Sequence, residues 1–204
     1  MIEPRRLLKE EIWEEAENFR KNYVVPTYLI PVPIEKIVEI NLRISVHPKQ
    51  DLKASADIDG FISNDLRTIY VDAGMYADER YDRRIRFTYA HEIGHLVLHS
   101  ADIQSCKFQS ENDWFQFREN LQEVSLSRFE WQAYEFAGRL LVPVNILIDK
   151  LELLKPKIRQ YLEKYEDKDM LIDSISSFLC KDFEVSDEVI QRRIKNENLY
   201  DVIF

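Results

Sequence analysis

The 204-residue sequence predicts an α+β fold, a small antiparallel three-stranded sheet leaning on a mostly helical body. Three short runs with strand-like alternation are packed into about thirty residues, between 42 and 71. Connections that short disfavour parallel crossovers, which need a dozen or more residues. From Ala77 onward the apolar spacing is helical. With 4 glycines and no GxGxxG or GxxxxGK[ST] pattern, a glycine-rich phosphate loop is excluded.

Taken in order, residues 6–22 read as an amphipathic helix, with Leu7, Leu8, Ile12, Ala16 and Phe19 near helical spacing. Pro26, Pro31 and Pro33 punctuate the next stretch, and Pro33 suits the first position of a short helix that Asn41 closes. Residues 42–48 alternate as a strand. Residues 61–63 and 67–71 read as two more, joined by a tight turn at Asn64 and Asp65. A helix is expected from Ala77 to about His99, then a polar connection over 100–126, then a helix over 127–142 limited by Pro143. Helical segments are expected at 144–154, 156–165, 169–180 and 187–196, the last with Ser186 as N-cap.

This length suits one domain, or one with an appendage. It can bury about 70% of its unfolded surface, so it needs no disulfide or metal merely to fold. The net charge of -9 disfavours broad binding to nucleic acid. A charged start and the lack of any apolar run near 18 residues give the expectation of neither signal peptide nor membrane span. Cys106 and Cys180 are too few and too far apart for a disulfide framework, which favours a reducing, cytoplasmic setting with both buried.

Three of the four histidines, His91, His95 and His99, fall within nine residues of one predicted helix. His91-Glu92-Ile93-Gly94-His95 is an H-E-x-x-H pattern. On a helix, positions i and i+4 are about 40° and 6 Å apart, so two imidazoles can converge on one ion. Glu92 projects about 100° away, beside such a metal, where it can take a proton from bound water. Zinc is the natural ion for two histidines and a carboxylate. His99 lies about 12 Å from His91 along the axis, too far for a third ligand. It is expected to hydrogen-bond at the helix end or the pocket rim. Gly94 implies a close approach, by a ligand or by a neighbouring helix.

For the third ligand, the helix over 127–142 offers Glu130, on one face with Ala133, Tyr134, Ala137 and Leu141. Gln132, Glu135 and Arg139 are expected on its solvent side. Ser127 and Glu130 also form an S-x-x-E capping pattern, in which Glu130 would satisfy only a backbone N–H.

The segment Arg86-Phe-Thr-Tyr-Ala-His-Glu-Ile-Gly-His-Leu-Val-Leu-His99 resembles the signature helix of the ImmA/IrrE family of zinc metallopeptidases. Glu130-Trp-Gln-Ala-Tyr-Glu-Phe-Ala-Gly-Arg-Leu-Leu-Val-Pro143 resembles the family's second block, and Phe183-Glu-Val-Ser186 resembles its F-x-V-S segment. The resemblance covers about residues 30–196. It implies a zincin-like domain with one zinc ion held by His91, His95 and Glu130, and Glu92 as general base. One departure is Tyr134, where the family has Asn. The implied activity is peptide hydrolysis in the cytoplasm, with a helix-turn-helix repressor as substrate. Tyr89, Tyr134 and Arg86 are candidate donors to the developing oxyanion. An extended substrate could add to the sheet edge.

The expected division is a peptidase domain over 1–165 and a helical, helix-turn-helix-like segment over 166–204 packed on it. Arg192, Arg193 and Lys195 cluster in that segment, but Asp187, Glu188 and Glu197 flank them, which disfavours a DNA reader. The rival is an inactive or regulatory family member acting by protein or DNA binding.

Overall fold

A computed structural model describes residues 5–105, 123–162 and 168–203 of the chain. Cys106, the connection over 106–122 and the expected helix end at 163–165 lie outside the described residues.

Helix α1 (Lys9–Tyr23) buries Ile12, Ala16 and Phe19, while Leu8 stays exposed. A short helix α2 (Ile34–Lys36) runs into a π-helical turn (Ile37–Asn41) and buries Ile34, Ile37 and Val38. Next come strand β1 (Ser45–Lys49), helix α3 (Leu52–Ala56), strand β2 (Gly60–Ile62) and strand β3 (Thr68–Asp72). Helix α4 (Ala73–Tyr76) and a 3-10 turn (Glu79–Tyr81) lead into the long α5 (Asp82–Ser105). The remainder is α6 (Glu123–Leu141), α7 (Val144–Leu162), α8 (Lys168–Phe183), α9 (Asp187–Asn196) and the short α10 (Tyr200–Ile203).

The α+β class holds, but the sheet is mixed rather than antiparallel. Its order is β1-β3-β2, with β2 antiparallel and β1 parallel to β3. The antiparallel expectation rested on the short connections between consecutive strands. Instead, β2 takes the outer edge, and residues 50–67, with α3 and β2 among them, provide a crossover long enough for parallel pairing.

Ile69 and Val71 of β3 are fully buried in the main core. On the other side of the sheet, Leu52, Ile58 and Phe61 form a small second cluster, with Tyr70 stacked on Phe61. Helix α5 carries buried residues around much of its circumference, among them Ile85, Tyr89, Ala90, Ile93 and Ile103, as befits a helix enclosed by others. Helix α6 packs against it at Ala133 and through the Phe87–Tyr134 ring pair, and turns Phe136 toward Phe19 of α1. One cluster of buried side chains runs from Ile12 to Ile203. Pro156 lies inside α7, so the two helices expected at 144–154 and 156–165 are continuous across it. Among the described residues, no helix is long and apolar enough to cross a membrane.

Candidate metal centre and its cleft

Helix α5 brings His91 and His95 onto one face, as their spacing requires. His91 Nε2 lies 3.0 Å from His95 Nε2. From α6, Glu130 Oε2 lies 3.1 Å from His91 Nε2 and 3.8 Å from His95 Nε2. Four ligands at about 2.0–2.1 Å around a tetrahedral zinc stand about 3.3–3.4 Å apart, so these three atoms could hold such an ion with little movement. Because α6 begins at Glu123, Glu130 sits two turns inside the helix and is not part of a capping box.

Gly94 permits this meeting of helices. A Cβ there would stand 2.9 Å from the Ala133 carbonyl oxygen and 3.0 Å from the Ala133 Cα. The close approach implied by Gly94 is therefore to the backbone of α6, one turn beyond Glu130.

Glu92 is buried beside the two histidines, and Ile62 N of β2 donates to its Oε2 at 2.8 Å. Burial pushes its carboxyl up, against the lowering pull of His95 and His91. Burial also works against ionisation of Glu130, but hydrogen bonds and charge from His91 and His95 prevail and hold it well below the usual carboxylate range. His99 is 2% exposed. Burial, then the neighbouring His95, lowers its pKa to about 3, so it is neutral.

The cleft above these groups has a volume of about 290 Å³. Phe87, Phe129, Ile103 and Tyr134 give it apolar walls, and Lys53, Asp57, Asp59 and Arg84 form a charged rim. Arg84 grips Asp59 with two hydrogen bonds of 2.5 and 2.7 Å, and Lys53 reaches Asp57 and Asp59.

Of the three oxyanion candidates, Tyr134 lines the cleft, its ring against Phe87 and beneath the Arg192 guanidinium. Tyr89 and Arg86 do not line it. They precede His91 by two and five residues, which places them about 160° and 140° around the helix. Arg86 instead binds Glu35, the Val32 carbonyl and Glu184, while Tyr89 is buried, which raises its pKa. Arg84, seven residues before His91, lies within about 20° of it and is the arginine that reaches the cleft.

A second correction concerns α6. Gln132 and Glu135 are buried rather than on the solvent side, because α1 and the segment before it cover that face. Trp13 Nε1 donates to Glu135, Glu17 accepts from Arg139, and the Arg5 carbonyl accepts from Gln132. The sequence did carry a signal for Gln132. It is the polar member of a stripe, Phe129, Gln132, Ala133 and Phe136, at i, i+3, i+4 and i+7.

A His-Glu-x-x-His helix at the base of such a cleft is the arrangement of a metallopeptidase. Residues 75–195 match the peptidase family M78, described as the IrrE N-terminal-like domain, and the chain belongs to this family. No curated protein matches the chain. Family membership and the His91, Glu92 and His95 cluster together point to a metal-dependent peptidase acting on protein.

Proposed function

We propose that the protein is a zinc-dependent metalloendopeptidase that cleaves a helix-turn-helix transcriptional repressor in the cytoplasm and thereby relieves repression. The observation that carries the hydrolytic reading is the meeting of His91 Nε2, His95 Nε2 and Glu130 Oε2 at the base of a cleft beside Glu92. His91, His95 and Glu130 would hold one Zn2+. When bound, the ion polarises a carbonyl and lowers the pKa of water to about 7.

The chain's own groups supply the rest. Glu92, fixed through Oε2 by Ile62 N, takes the water proton on its other oxygen and returns it to the leaving amine. Its burial favours holding that proton. Of the three candidate donors to the oxyanion, Tyr134 is the one in the cleft wall. The substrate lies along the outer edge of β2. Bonds from Asp72 N to Asp59 O and from Ser63 N to Thr68 O join β2 to β3, so Gly60 and Ile62 between them turn their peptide groups outward. Glu92 takes the Ile62 N–H, which leaves Gly60 N and the two carbonyl oxygens to meet a substrate. Such an edge reads backbone rather than side chains.

The C-terminal helices belong to the same peptidase unit and are not a DNA reader. Arg193 is buried against Glu135, and Arg192 lies over Tyr134. The repressor as substrate comes from the family resemblance.

The test is zinc analysis of wild type, Glu92→Gln and Glu130→Ala, each incubated with a helix-turn-helix repressor from the same genome. Glu92→Gln keeps its metal and loses cleavage, and Glu130→Ala loses much of its metal affinity. A wild type without zinc, or a Glu92→Gln that cleaves normally, refutes the mechanism. Zinc binding without cleavage by wild type would favour a regulatory role.

A further inference from the structure

We propose that His99 and Gln132 form a one-way hydrogen-bond relay from the N-terminal segment to the metal centre, fixing which nitrogen of His95 carries its proton. Both are positioning residues, and the proposal rests on the metal site above.

The direction is set at the far end. The Arg5 carbonyl can only accept, so the group 2.9 Å from it must be the Gln132 amide nitrogen. That turns Gln132 Oε1 toward His99 Nε2, 2.7 Å away. An amide oxygen can only accept, so His99 carries its proton on Nε2 and bears a lone pair on Nδ1. His99 Nδ1 lies 3.0 Å from His95 Nδ1, which must therefore donate. The neutral His95 then has its lone pair on Nε2, the atom that faces His91 and Glu130. A backbone carbonyl thus dictates, through two side chains, the form of His95 able to bind a metal.

The geometry is locked as well as directed. Gln132, His99 and His95 are 0%, 2% and 5% exposed, so solvent offers little competing hydrogen bonding. Phe129 stacks on both imidazoles, with centroids 4.4 Å from His95 and 4.2 Å from His99, which restrains either ring from turning over. Partners of this kind, lying behind a metal ligand, typically change metal affinity by about ten- to a hundredfold when removed.

The experiment is histidine tautomer analysis by long-range proton–nitrogen NMR on the full chain, with and without zinc, beside zinc affinity from chelator competition. His99 is expected as the Nε2–H tautomer in both states, and His95 as Nδ1–H when zinc is bound. In Gln132→Met, a replacement of similar length without the amide, zinc affinity should fall by about ten- to a hundredfold and His99 should lose its single tautomer. His99 found as Nδ1–H in wild type overturns the relay and needs no variant to fold. Unchanged zinc affinity in a folded Gln132→Met also overturns it, while leaving the metal site standing. A wild type that binds no zinc refutes the metal site itself.

Discussion

Replacing Gly94 by alanine tests whether the metal centre depends on the separation of α5 and α6. The new Cβ would stand 2.9 Å from the Ala133 carbonyl oxygen, 3.0 Å from its Cα and 3.3 Å from its Cβ. Two of these atoms are backbone and cannot rotate aside. Ordinary contact begins near 3.4 Å, so the helices must separate by about half an ångström. Zinc–ligand distances tolerate only about 0.2 Å. Glu130 is one turn from the point of contact, so such a shift moves its carboxylate out of reach of an ion fixed by His91 and His95. Alanine gains about 1 kcal/mol of helix propensity, and overpacking costs about 1–3 kcal/mol. The net expectation is a loss of about 1 kcal/mol, or a fall of about 2–4 °C in Tm for a chain of this size. Zinc affinity should fall at least tenfold. Chelator competition and thermal unfolding of the metal-free protein measure the two effects separately. Wild-type zinc affinity with an unchanged or raised Tm would refute the argument, because propensity alone would then have decided the outcome.

Two further predictions concern stability. Arg193→Met should destabilise the fold by about 3 kcal/mol, since it leaves buried Glu135 without its cation, and Glu135→Met added to it should recover part of that loss in urea unfolding. Asp72 accepts from Lys53 N at 2.9 Å and from Met75 N at 3.0 Å. Burial opposes its ionisation, but the backbone donors prevail and hold its carboxyl below the ordinary value of 3.8. A folded value below the unfolded one stabilises above the unfolded pKa, and that contribution is lost as the pH falls through the folded value. Wild type should exceed Asp72→Asn by about 1–2 kcal/mol at neutral pH. The gap should close below about pH 4; a gap independent of pH would contradict this account.

The parts of the site legible in the sequence were those governed by a single helix's period. His91, Glu92 and His95 needed only the four-residue spacing, and Arg86 and Tyr89 could have been set aside on the same ground, since their phase turns them away. Glu130 needed a correct choice of face on a second helix, and its small neighbours Ala133 and Ala137 supplied it. Gln132 and Glu135 were misjudged because their partners stand far away in the chain, Arg5 and Trp13 before them and Arg193 and Asn196 of α9 after them. Nothing in the local spacing says that another helix covers that side. The sheet failed for a similar reason. Strand lengths and turns are local, but whether β1 pairs with β2 or β3 depends on contacts between residues more than twenty positions apart.

The arrangement of α1 also bears on where this protein can be divided. The segment matched to the family begins at Met75, yet the Arg5 carbonyl, Lys9, Trp13 and Glu17 all bind partners within or just beyond that segment. A fragment cut at the family boundary would bare the flank of α6 that carries Gln132 and Glu135. It would also lack β2, whose Ile62 holds Glu92. The stretch recognisable by descent is thus smaller than the stretch that must be expressed together, and a shortened version should keep Arg5 and all of α1.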